Sequence, residues 1–343
     1  MTNSPKKCLI VGPSWVGDMI MAQSLFIQLK QQYPQMQIDV LAPQWSEALL
    51  DSMPEVSESH IMPVGHGTLG LKVRYQLGKS LRSQHYDWAI TLPNSLKSAL
   101  VPFWAKIPKR SGFRGEMRYG LINSMHHLDP SVLTMTVQRF VALAQPPSTN
   151  APDYPAPKLS IDNTDLAKTL KHYKLAEQPF IALCPGAEYG DAKRWPAKHF
   201  ANLVNKLCAQ GYQSIVLGSE KDQVVAKKIA NQLNRNSNLV DLTGKTTLTE
   251  ATHLLASAKG VVSNDSGLMH IAAAVSTPLV ALYGSSDPHF TPPLSTNHKI
   301  IDLNLECSPC FKRECPLGTR ACLDDIKPEL VDQQLATLIQ ASK

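Results

Sequence analysis

Short apolar runs alternate with longer amphipathic segments along the whole chain. Between residues 19 and 33, Met19, Ala22, Phe26 and Leu29 recur at helical spacing, so one face of this segment is apolar. The alternation is typical of βα units wound around a parallel sheet. In the first half of the chain, the predicted strands span residues 8–11, 38–41, 59–63, 88–92 and 110–113.

A proline-rich stretch, residues 145–157, separates the two halves of the chain. Proline at this density disfavours both helix and central strand, so we interpret the stretch as a boundary. After a predicted helix at 163–173 the same rhythm resumes, and a last helix follows at 329–339. The predicted strands of the second half span residues 180–184, 214–217, 239–242, 260–263, 279–283 and 299–303.

These elements predict an α/β protein with two doubly wound parallel-sheet domains facing each other across a cleft. In such folds, ligands bind where strands end and helices begin. We assign residues 1–160 to the first domain, 161–327 to the second and 328–343 to a C-terminal helix.

Length and composition agree with this organisation. A chain of 343 residues favours two domains, and 43% hydrophobic with 18% charged residues excludes an intrinsically disordered protein. No apolar run approaches the roughly 20 residues that span a bilayer. Gly12 and Pro13 interrupt the first apolar run, which predicts a strand and not a signal peptide.

Basic residues are concentrated in one part of the first half. Residues 1–150 hold 14 lysines and arginines against nine acidic residues. Between 97 and 118 six basic residues accompany only Glu116: Lys97, Lys106, Lys109, Arg110, Arg114 and Arg118. Such a patch attracts nucleic acid, anionic lipid or phosphorylated sugars, or is simply a solvated surface. Its few aromatic residues do not favour a base-stacking surface for nucleic acid.

The cysteines divide into two groups. Cys8, Cys184 and Cys208 lie in apolar runs and are interpreted as core residues. The other four are clustered at Cys307, Cys310, Cys315 and Cys322. This clustering is compatible with a structural metal, with reversible disulfides or with plain thiols, and the spacing does not match a standard zinc ribbon.

The first candidate motif, residues 11–21, runs from a strand through a glycine loop into a helix. It does not match the dinucleotide turn G-x-G-x-x-G, because Gly12 is followed by Pro13 and then by no second glycine at the required position. Gly12 and Gly17 have P-loop spacing, but Asp18 occupies the lysine position. Asp18 therefore either offsets the helix dipole or acts as a general base.

Two further turns carry candidate ligand-binding residues. After the strand that ends near Gly186, the cations Lys193 and Arg194 precede a helix, which suits a diphosphate or is an ordinary surface turn. Glu220, in the turn 217–222, either accepts hydrogen bonds from a ribose or is a first-turn acid of a helix.

The segment 260–284 is the most informative. A buried strand leads into Asn-Asp-Ser-Gly and then an apolar helix. We expect Asp265 and Ser266 to cap this helix and Gly267 to allow close approach of an anion to the backbone. His270, one turn further on, is either a ligand contact or a core histidine.

Together these motifs resemble glycosyltransferase family 9, whose members have the GT-B fold. The resemblance covers nearly the whole chain. It rests on VGPSWVGDMIMAQSLF (11–26), DVLAPQWSEALL (39–50), MPVGHG (62–67), PGAEYGDAKRWP (185–196) and SNDSGLMHIAAA (263–274). It implies an inverting transfer of heptose from ADP-heptose to the first heptose of a Kdo2–lipid A acceptor, without a metal ion or other cofactor.

The resemblance also implies roles for individual residues. Asp18 matches the catalytic base of the family, and Lys193 matches the lysine that contacts the donor phosphates. Glu220 matches an acidic residue near the donor ribose. The expected donor-binding residues are Gly186, Lys193, Arg194, Glu220, Asp265, Ser266, Gly267, Leu268 and His270. The expected acceptor-binding residues are Lys97, Arg110, Arg114 and Arg118, which would meet the acceptor's phosphates and carboxylates.

The expected partners are therefore the ADP-heptose donor and an acceptor in the inner membrane, with no nucleic acid and no obligate protein partner. The expected location is cytoplasmic, peripheral at the cytoplasmic face of that membrane. Two alternatives stay open: a family member that adds the first heptose, or a non-catalytic protein that binds anionic lipid or nucleic acid. The second alternative requires neither a nucleotide sugar nor Asp18.

Overall fold

The computed structural model describes residues 4–65, 67–146, 148–235 and 237–342. Contacts within the chain divide it into two compact units, Met1–Pro157 (unit 1) and Lys158–Lys343 (unit 2). The sequence predicts this boundary at residue 160. His66 in the MPVGHG segment, Pro147 in the proline-rich stretch and Lys343 at the chain end lie outside the described residues.

In the described part of unit 1, six parallel strands form one sheet in the order β3-β2-β1-β4-β5-β6. The strands are β1 (Lys7–Val11), β2 (Gln37–Ala42), β3 (Glu58–Ile61), β4 (Trp88–Thr91), β5 (Lys109–Phe113) and β6 (Ser124–His126). The helices are α1 (Val16–Gln32), α2 (Glu47–Leu50), α3 (Leu71–Ser80), α4 (Leu100–Trp104) and α5 (Thr136–Ala142).

The described part of unit 2 contains a second sheet of six parallel strands, in the order β12-β11-β10-β7-β8-β9. The strands are β7 (Phe180–Cys184), β8 (Gln213–Val216), β9 (Leu239–Asp241), β10 (Gly260–Asn264), β11 (Leu279–Leu282) and β12 (His298–Ile301). The helices are α6 (Asn163–His172), α7 (Ala197–Ala209), α8 (Gln223–Ala230), α9 (Leu248–Ser257), α10 (Gly267–Ala274), α11 (Ala321–Asp324) and α12 (Pro328–Ala341).

The predicted α/β class with two doubly wound parallel sheets is confirmed. Counted from the first strand of each unit, both sheets have the order 3-2-1-4-5-6. The order reverses between β1 and β4 in unit 1 and between β7 and β10 in unit 2. At such a reversal the loops after the two strands diverge and leave a crevice, so these two places are where ligands are expected.

Burial of both sheet faces explains why the sequence predicts the strands well. Cys8, Leu9 and Ile10 of β1 are all completely buried, as are Val261 and Val262 of β10. Parallel strands covered by helices on both sides read as continuous apolar runs. The one strand that the sequence analysis missed, β6, is the short polar edge strand Ser124–His126, which has no such run.

The C-terminal helix is part of unit 2, and not the separate segment 328–343 that the sequence predicts. Val331 and Leu335 of α12 are buried in the main core of unit 2 together with Val262. A Cβ atom at Gly260 would lie 2.6 Å from Leu335 Cδ1, so this helix packs directly on the sheet. None of the helices in the described part of the chain is both long enough and apolar enough to cross a membrane.

Candidate active site

At the reversal point of unit 2, a buried amide joins the two diverging loops. Asn264, the last residue of β10, donates from Nδ2 to the Pro185 carbonyl at 2.7 Å, and its Oδ1 accepts the Trp195 N–H at 3.1 Å. The loop after β7 is therefore fixed at both ends against the loop after β10. This places the 185–196 and 264–267 segments side by side, as the sequence-based hypothesis requires.

Lys193 and Asp265 form the central contact between these loops. Lys193 Nζ lies 2.5 Å from Asp265 Oδ2, and the Ser286 hydroxyl donates to the same oxygen, also at 2.5 Å. The Asp265 side chain is 7% exposed and that of Lys193 is 19% exposed. The ammonium also lies 5.2 Å from the centre of the Tyr189 ring. Lys193 thus carries a positive charge at a partly open position, with one carboxylate partner already bound.

Arg194 is held by several acceptors of the same loop. Its guanidinium contacts Asp191 Oδ1 at 3.0 Å and the Ala187 carbonyl at 3.3 Å, and it lies 3.7 Å from Asp222 Oδ1. The two predicted donor cations are therefore both paired with acids. A diphosphate that arrived here would share these cations with the carboxylates, so the loop is less positive than the sequence alone suggests.

The carboxylate of Asp222 explains the requirement for Gly186. A Cβ atom at Gly186 would lie 2.6 Å from the Asp222 carboxyl group, and one at Gly218 would lie 2.9 Å from it. Asp222 itself accepts from the Ser219 N–H and hydroxyl at 2.9 and 2.8 Å. Glu220, which the sequence analysis singled out, is exposed at the same turn, so the buried acid of this turn is Asp222.

The expectation that Asp265 and Ser266 cap helix α10 is wrong. Ser266 is the N-cap residue with extended backbone, but its side chain makes no capping hydrogen bond, and its hydroxyl lies 3.2 Å from that of Ser263. The Asp265 carboxylate is held by Lys193 and Ser286 instead. The Ser266 side chain therefore leaves the first N–H groups of α10, those of Gly267 and Leu268, without a side-chain cap.

His270 is buried behind this helix start. Only 4% of it is exposed, and burial lowers its pKa to about 4, with Lys193 lowering it further and Asp265 opposing this. It is therefore neutral at pH 7. Its Nδ1 has no hydrogen-bond partner among the described residues. A neutral imidazole with one unused ring nitrogen can still donate or accept a single hydrogen bond.

At the reversal point of unit 1, the loop after β1 leads to Asp18. Asp18 lies in the first turn of α1 and is half-buried. Gly12 packs closely between α1 and β2, because a Cβ atom there would lie 2.8 Å from Met19 Cε and 3.3 Å from Val40 Cγ1. The N-cap residue, Trp15, has extended backbone and provides no side-chain cap. An acid in the first turn of a helix is favoured by the helix dipole.

A large cavity of about 1050 Å³ opens in unit 1 beside this loop. Its wall is formed by the segments that follow β1 to β4, including Ser14, Trp45 and Lys97. Buried Arg74 also lines it and donates to the Leu69 carbonyl at 2.8 Å. The wall includes residues of the loop that leads to Asp18, though not Asp18 itself. A cavity of this size accommodates a sugar-sized group.

The prediction that Arg118 binds the acceptor is wrong, because this side chain is completely buried. Its guanidinium donates to the Pro93 carbonyl at 2.7 Å, the Phe113 carbonyl at 2.5 Å and the Ser98 hydroxyl at 3.1 Å. Burial lowers its pKa to about 10. Arg118 therefore ties together the loops after β4 and β5 and cannot contact a ligand.

The other predicted acceptor-binding residues differ in how far they are engaged. Arg110 is half-buried and donates to the carbonyls of Leu121 and Ile107 at 2.6 and 2.7 Å. Lys97 is half-buried in the cavity wall, and Arg114 is exposed. Of the four predicted acceptor-binding residues, Arg110 and Arg118 are thus held by backbone carbonyls, whereas Lys97 and Arg114 remain accessible.

Four residues of the unit 2 site were not singled out from the sequence: Asn264, Ser286, Asp222 and Tyr189. Asp222 could have been found, because Ser219 followed three residues later by an acid is a capping box, which the structure contains. Asn264 and Ser286 act through contacts with residues far away along the chain, for which the sequence has no local signal.

One group in the described residues has the spacing of metal ligands: Asp39, Glu58 and His60. The Asp39 carboxylate already accepts from the Tyr86 hydroxyl at 2.6 Å and lies 3.3 Å from Lys7 Nζ. Its charge is thus balanced by the protein. This cluster lies on β2 and β3, outside both reversal points.

Comparison with known proteins gives consistent matches along the chain. The model of glycosyltransferase family 9 (heptosyltransferase) matches residues 74–320. Lipopolysaccharide heptosyltransferase 2 of Escherichia coli K12 is 46% identical over 342 residues, covering 97% of this chain and 98% of that protein. Lipooligosaccharide heptosyltransferase 2 of Haemophilus influenzae is 48% identical over 343 residues, covering 96% and 99%. The solved structure of E. coli ADP-heptose lipopolysaccharide heptosyltransferase II superposes with a TM-score of 0.87 at 44% identity, covering 98% of this chain and 99% of that one.

Proposed function

This chain belongs to glycosyltransferase family 9, the heptosyltransferases, and on that premise we propose that it transfers heptose from ADP-heptose to the first heptose of the lipopolysaccharide inner core. The observation that carries this conclusion is the similarity, along nearly the whole chain, to type 2 heptosyltransferases of two bacteria. It favours this acceptor over the acceptor that has not yet received a heptose.

Unit 2 binds the donor in this proposal. The Lys193 ammonium contacts the diphosphate while it keeps Asp265 as its second partner. As the bond from the sugar to the β-phosphate breaks, negative charge grows on the departing ADP. Lys193 and the uncapped N–H groups of Gly267 and Leu268 stabilise that charge, because both are fixed before the reaction begins. Neutral His270 adds no charge and offers one hydrogen bond.

Unit 1 supplies the base. The acceptor hydroxyl oxygen attacks the anomeric carbon of the donor heptose, and its proton passes to the Asp18 carboxylate. The new glycosidic bond forms while the old bond to phosphate breaks, so the configuration at the anomeric carbon inverts. The cavity beside the loop that leads to Asp18 is where we place the acceptor sugar.

We place a membrane-facing surface on α3 of unit 1. Leu71 and Tyr75, one turn apart on this helix, are 50% and 44% exposed. Lys72 and Lys79 of the same helix are exposed, and α3 contains no acidic residue. Exposed apolar side chains within a cationic surface suit an anionic lipid bilayer.

This surface leads to a peripheral location. Lys97 and Arg114 are the cations that we assign to the phosphates and carboxylates of the acceptor. The acceptor's lipid anchor stays in the bilayer while its sugars enter the unit 1 cavity. We accordingly propose that the protein binds peripherally to the cytoplasmic face of the inner membrane.

The test is a direct assay with two acceptors. The purified protein is incubated with ADP-heptose and either Kdo2–lipid A or its monoheptosylated form, and the products are weighed by mass spectrometry. We expect the mass of one heptose to be added to the monoheptosylated acceptor only. Addition to the acceptor without heptose would instead assign the first transfer, and no addition to either would contradict the proposal.

A second arm of the assay tests the requirement for metal. We expect turnover to persist after brief treatment with EDTA, since Lys193 and the helix start are proposed to stabilise the leaving group. Loss of turnover that Mg²⁺ restores would contradict this part of the proposal.

A further inference from the structure

Four cysteines outside the sites described above surround one small space in unit 2. Cys307, Cys310, Cys315 and Cys322 all line the same cavity of about 20 Å³. This volume accommodates one ion or one water molecule. The first three cysteines come from the segment between β12 and α11, and the fourth is the second residue of α11. The chain therefore brings all four cysteines to the wall of one cavity.

The segment that carries these cysteines lacks a hydrophobic core of its own. Residues 302–320 contain no helix or strand and contribute none of the buried hydrophobic side chains, although Ile301 and Leu323 on either side are buried. Small regions without a core are commonly held by disulfides or a structural metal. A cross-link at the thiols would supply what apolar packing does not.

One of the four thiols is held by the backbone. The Cys315 Sγ accepts the Arg320 N–H at 3.4 Å. Because Arg320 directly precedes α11, this contact keeps the sulfur near the start of the helix that carries Cys322, at the wall of the same cavity.

We propose that Cys307, Cys310, Cys315 and Cys322 bind one zinc ion. Thiolates are the preferred ligands of zinc in structural sites, and four of them complete its tetrahedral coordination. Among the described residues, Asp39, Glu58 and His60 have ligand atoms close enough together to bind one metal ion, but the four thiols are farther apart than this. Zinc binding therefore requires the 307–315 segment to move inward, which its exposed position allows.

The ion would stabilise the loop that carries Lys193. The Tyr189 hydroxyl donates to the Phe311 carbonyl at 2.8 Å, and the Ala192 N–H donates to the Arg313 carbonyl at 3.1 Å. Gly190 lies so close that a Cβ atom there would be 2.4 Å from the Arg313 carbonyl oxygen. The cysteine-bearing segment thus packs against the 189–193 turn. This consequence for ADP rests on the proposed function, whereas zinc binding does not.

The test compares metal content in three proteins purified without chelators or metal-affinity steps. They are the wild type, the double variant Cys310→Ser/Cys322→Ser and the matched control Cys208→Ser, which changes a half-buried cysteine on α7. We expect one zinc ion per chain in the wild type and the control, and none in the double variant. Folded wild-type protein without zinc, or with zinc retained in the double variant, would overturn the proposal.

Spectroscopy and thiol reactivity test metal coordination in the wild-type protein itself, so the result does not depend on whether a variant folds. In wild-type protein exchanged with Co²⁺, we expect the intense near-ultraviolet sulfur-to-cobalt charge transfer of thiolate coordination. The four thiols should react slowly with a disulfide reagent until a strong chelator is added. Two disulfides per chain in protein purified under air-free conditions would contradict a metal site.

The final measurement is ADP affinity by calorimetry. We expect zinc removal from the wild type to weaken ADP binding several-fold and zinc return to restore it, with Cys208→Ser unaffected. Zinc that binds at the four thiols without changing ADP affinity would contradict the link to Lys193. A protein that binds zinc but transfers no heptose would contradict the proposed function and leave the zinc site standing.

Discussion

The two units have the same strand order but differ at their reversal points: unit 2 has a fixed ion pair there, and unit 1 has an open cavity. In unit 2 the cation Lys193 and the acid Asp265 are fixed against each other at 2.5 Å, within a nearly closed set of hydrogen bonds. In unit 1 the corresponding place opens into a cavity of about 1050 Å³ beside the loop that leads to the half-buried Asp18. The first arrangement is built before a ligand arrives, and the second leaves room for one.

This contrast fits a division of chemical work. A leaving diphosphate has a fixed shape and charge, so fixed donors stabilise it most effectively. An acceptor sugar that is part of a large glycolipid needs space and a base that can reach its hydroxyl. The same strand order therefore supports two kinds of site, because the site is formed by the loops and not by the sheet.

The largest expected effect is a loss of turnover, without a loss of ADP affinity, when the proposed base of unit 1 is replaced. Asp18→Asn removes the proposed base and keeps the size of the side chain. We expect kcat to fall by about 10²–10⁴-fold, the range of general-base catalysis, while the affinity for ADP is unchanged. The measurement is steady-state turnover together with calorimetry of ADP. A variant with near-normal turnover would remove Asp18 from the mechanism.

The reciprocal change tests unit 2. Lys193→Ala removes a charge-assisted contact to the diphosphate, which is worth about 1–3 kcal/mol, so we expect ADP to bind about 5- to 150-fold more weakly. The matched control is Lys198→Ala, an exposed lysine on the neighbouring helix α7. The variant also leaves Asp265 buried without its cation, and Lys193→Ala/Asp265→Asn separates the two effects. Restored ADP affinity in the double variant would show that the loss came from the unpaired carboxylate.

The elements of both sheets could be predicted from the sequence because burial on two faces leaves a local signature. The continuous apolar runs of β1 and β10 follow directly from it. The position of Gly12, Asp18 and the Asn-Asp-Ser-Gly turn at strand ends was likewise predictable, because βα loops follow their strands. These features depend on neighbouring residues only.

The partners of charged residues could not be predicted, because they come from distant parts of the chain. Asp265 was expected to cap its own helix, but Lys193, 72 residues away, and Ser286, 21 residues away, bind its carboxylate instead. Arg118 was expected at the surface with its basic neighbours, but carbonyls from residues 93 and 113 draw it inward. Charge counting locates a basic segment without showing which members are exposed.

The pH dependence of the free energy of unfolding tests whether His270 of unit 2 is buried as a neutral imidazole. Burial lowers the pKa of His270 to about 4, against about 6.5 in the unfolded chain, so the unfolded state binds the proton more tightly between these values. Stability should fall as the pH drops through this window, by about 2 kcal/mol between pH 7.5 and pH 5 from this residue alone. His270→Gln should remove that part of the slope in urea unfolding, and the exposed His289→Gln should not. An unchanged slope in His270→Gln would contradict a buried neutral imidazole.

The smallest expected effect tests unit 1 at its surface. Arg114 is exposed, and a single cation near an anionic surface contributes about 1 kcal/mol, so Arg114→Ala should weaken binding to anionic lipid vesicles about fivefold and raise KM for the acceptor to a similar extent. Because the charge is screened, the difference from the wild type should shrink as salt is raised. Lys227→Ala on α8 of unit 2 is the control and should change neither quantity. Buried Arg118 provides the opposite case: Arg118→Met should destabilise unit 1 by about 1–3 kcal/mol through its unpaired carbonyls, at any salt concentration. If Arg114→Ala instead destabilised the fold and left vesicle binding intact, the proposed membrane-facing surface of unit 1 would be wrong.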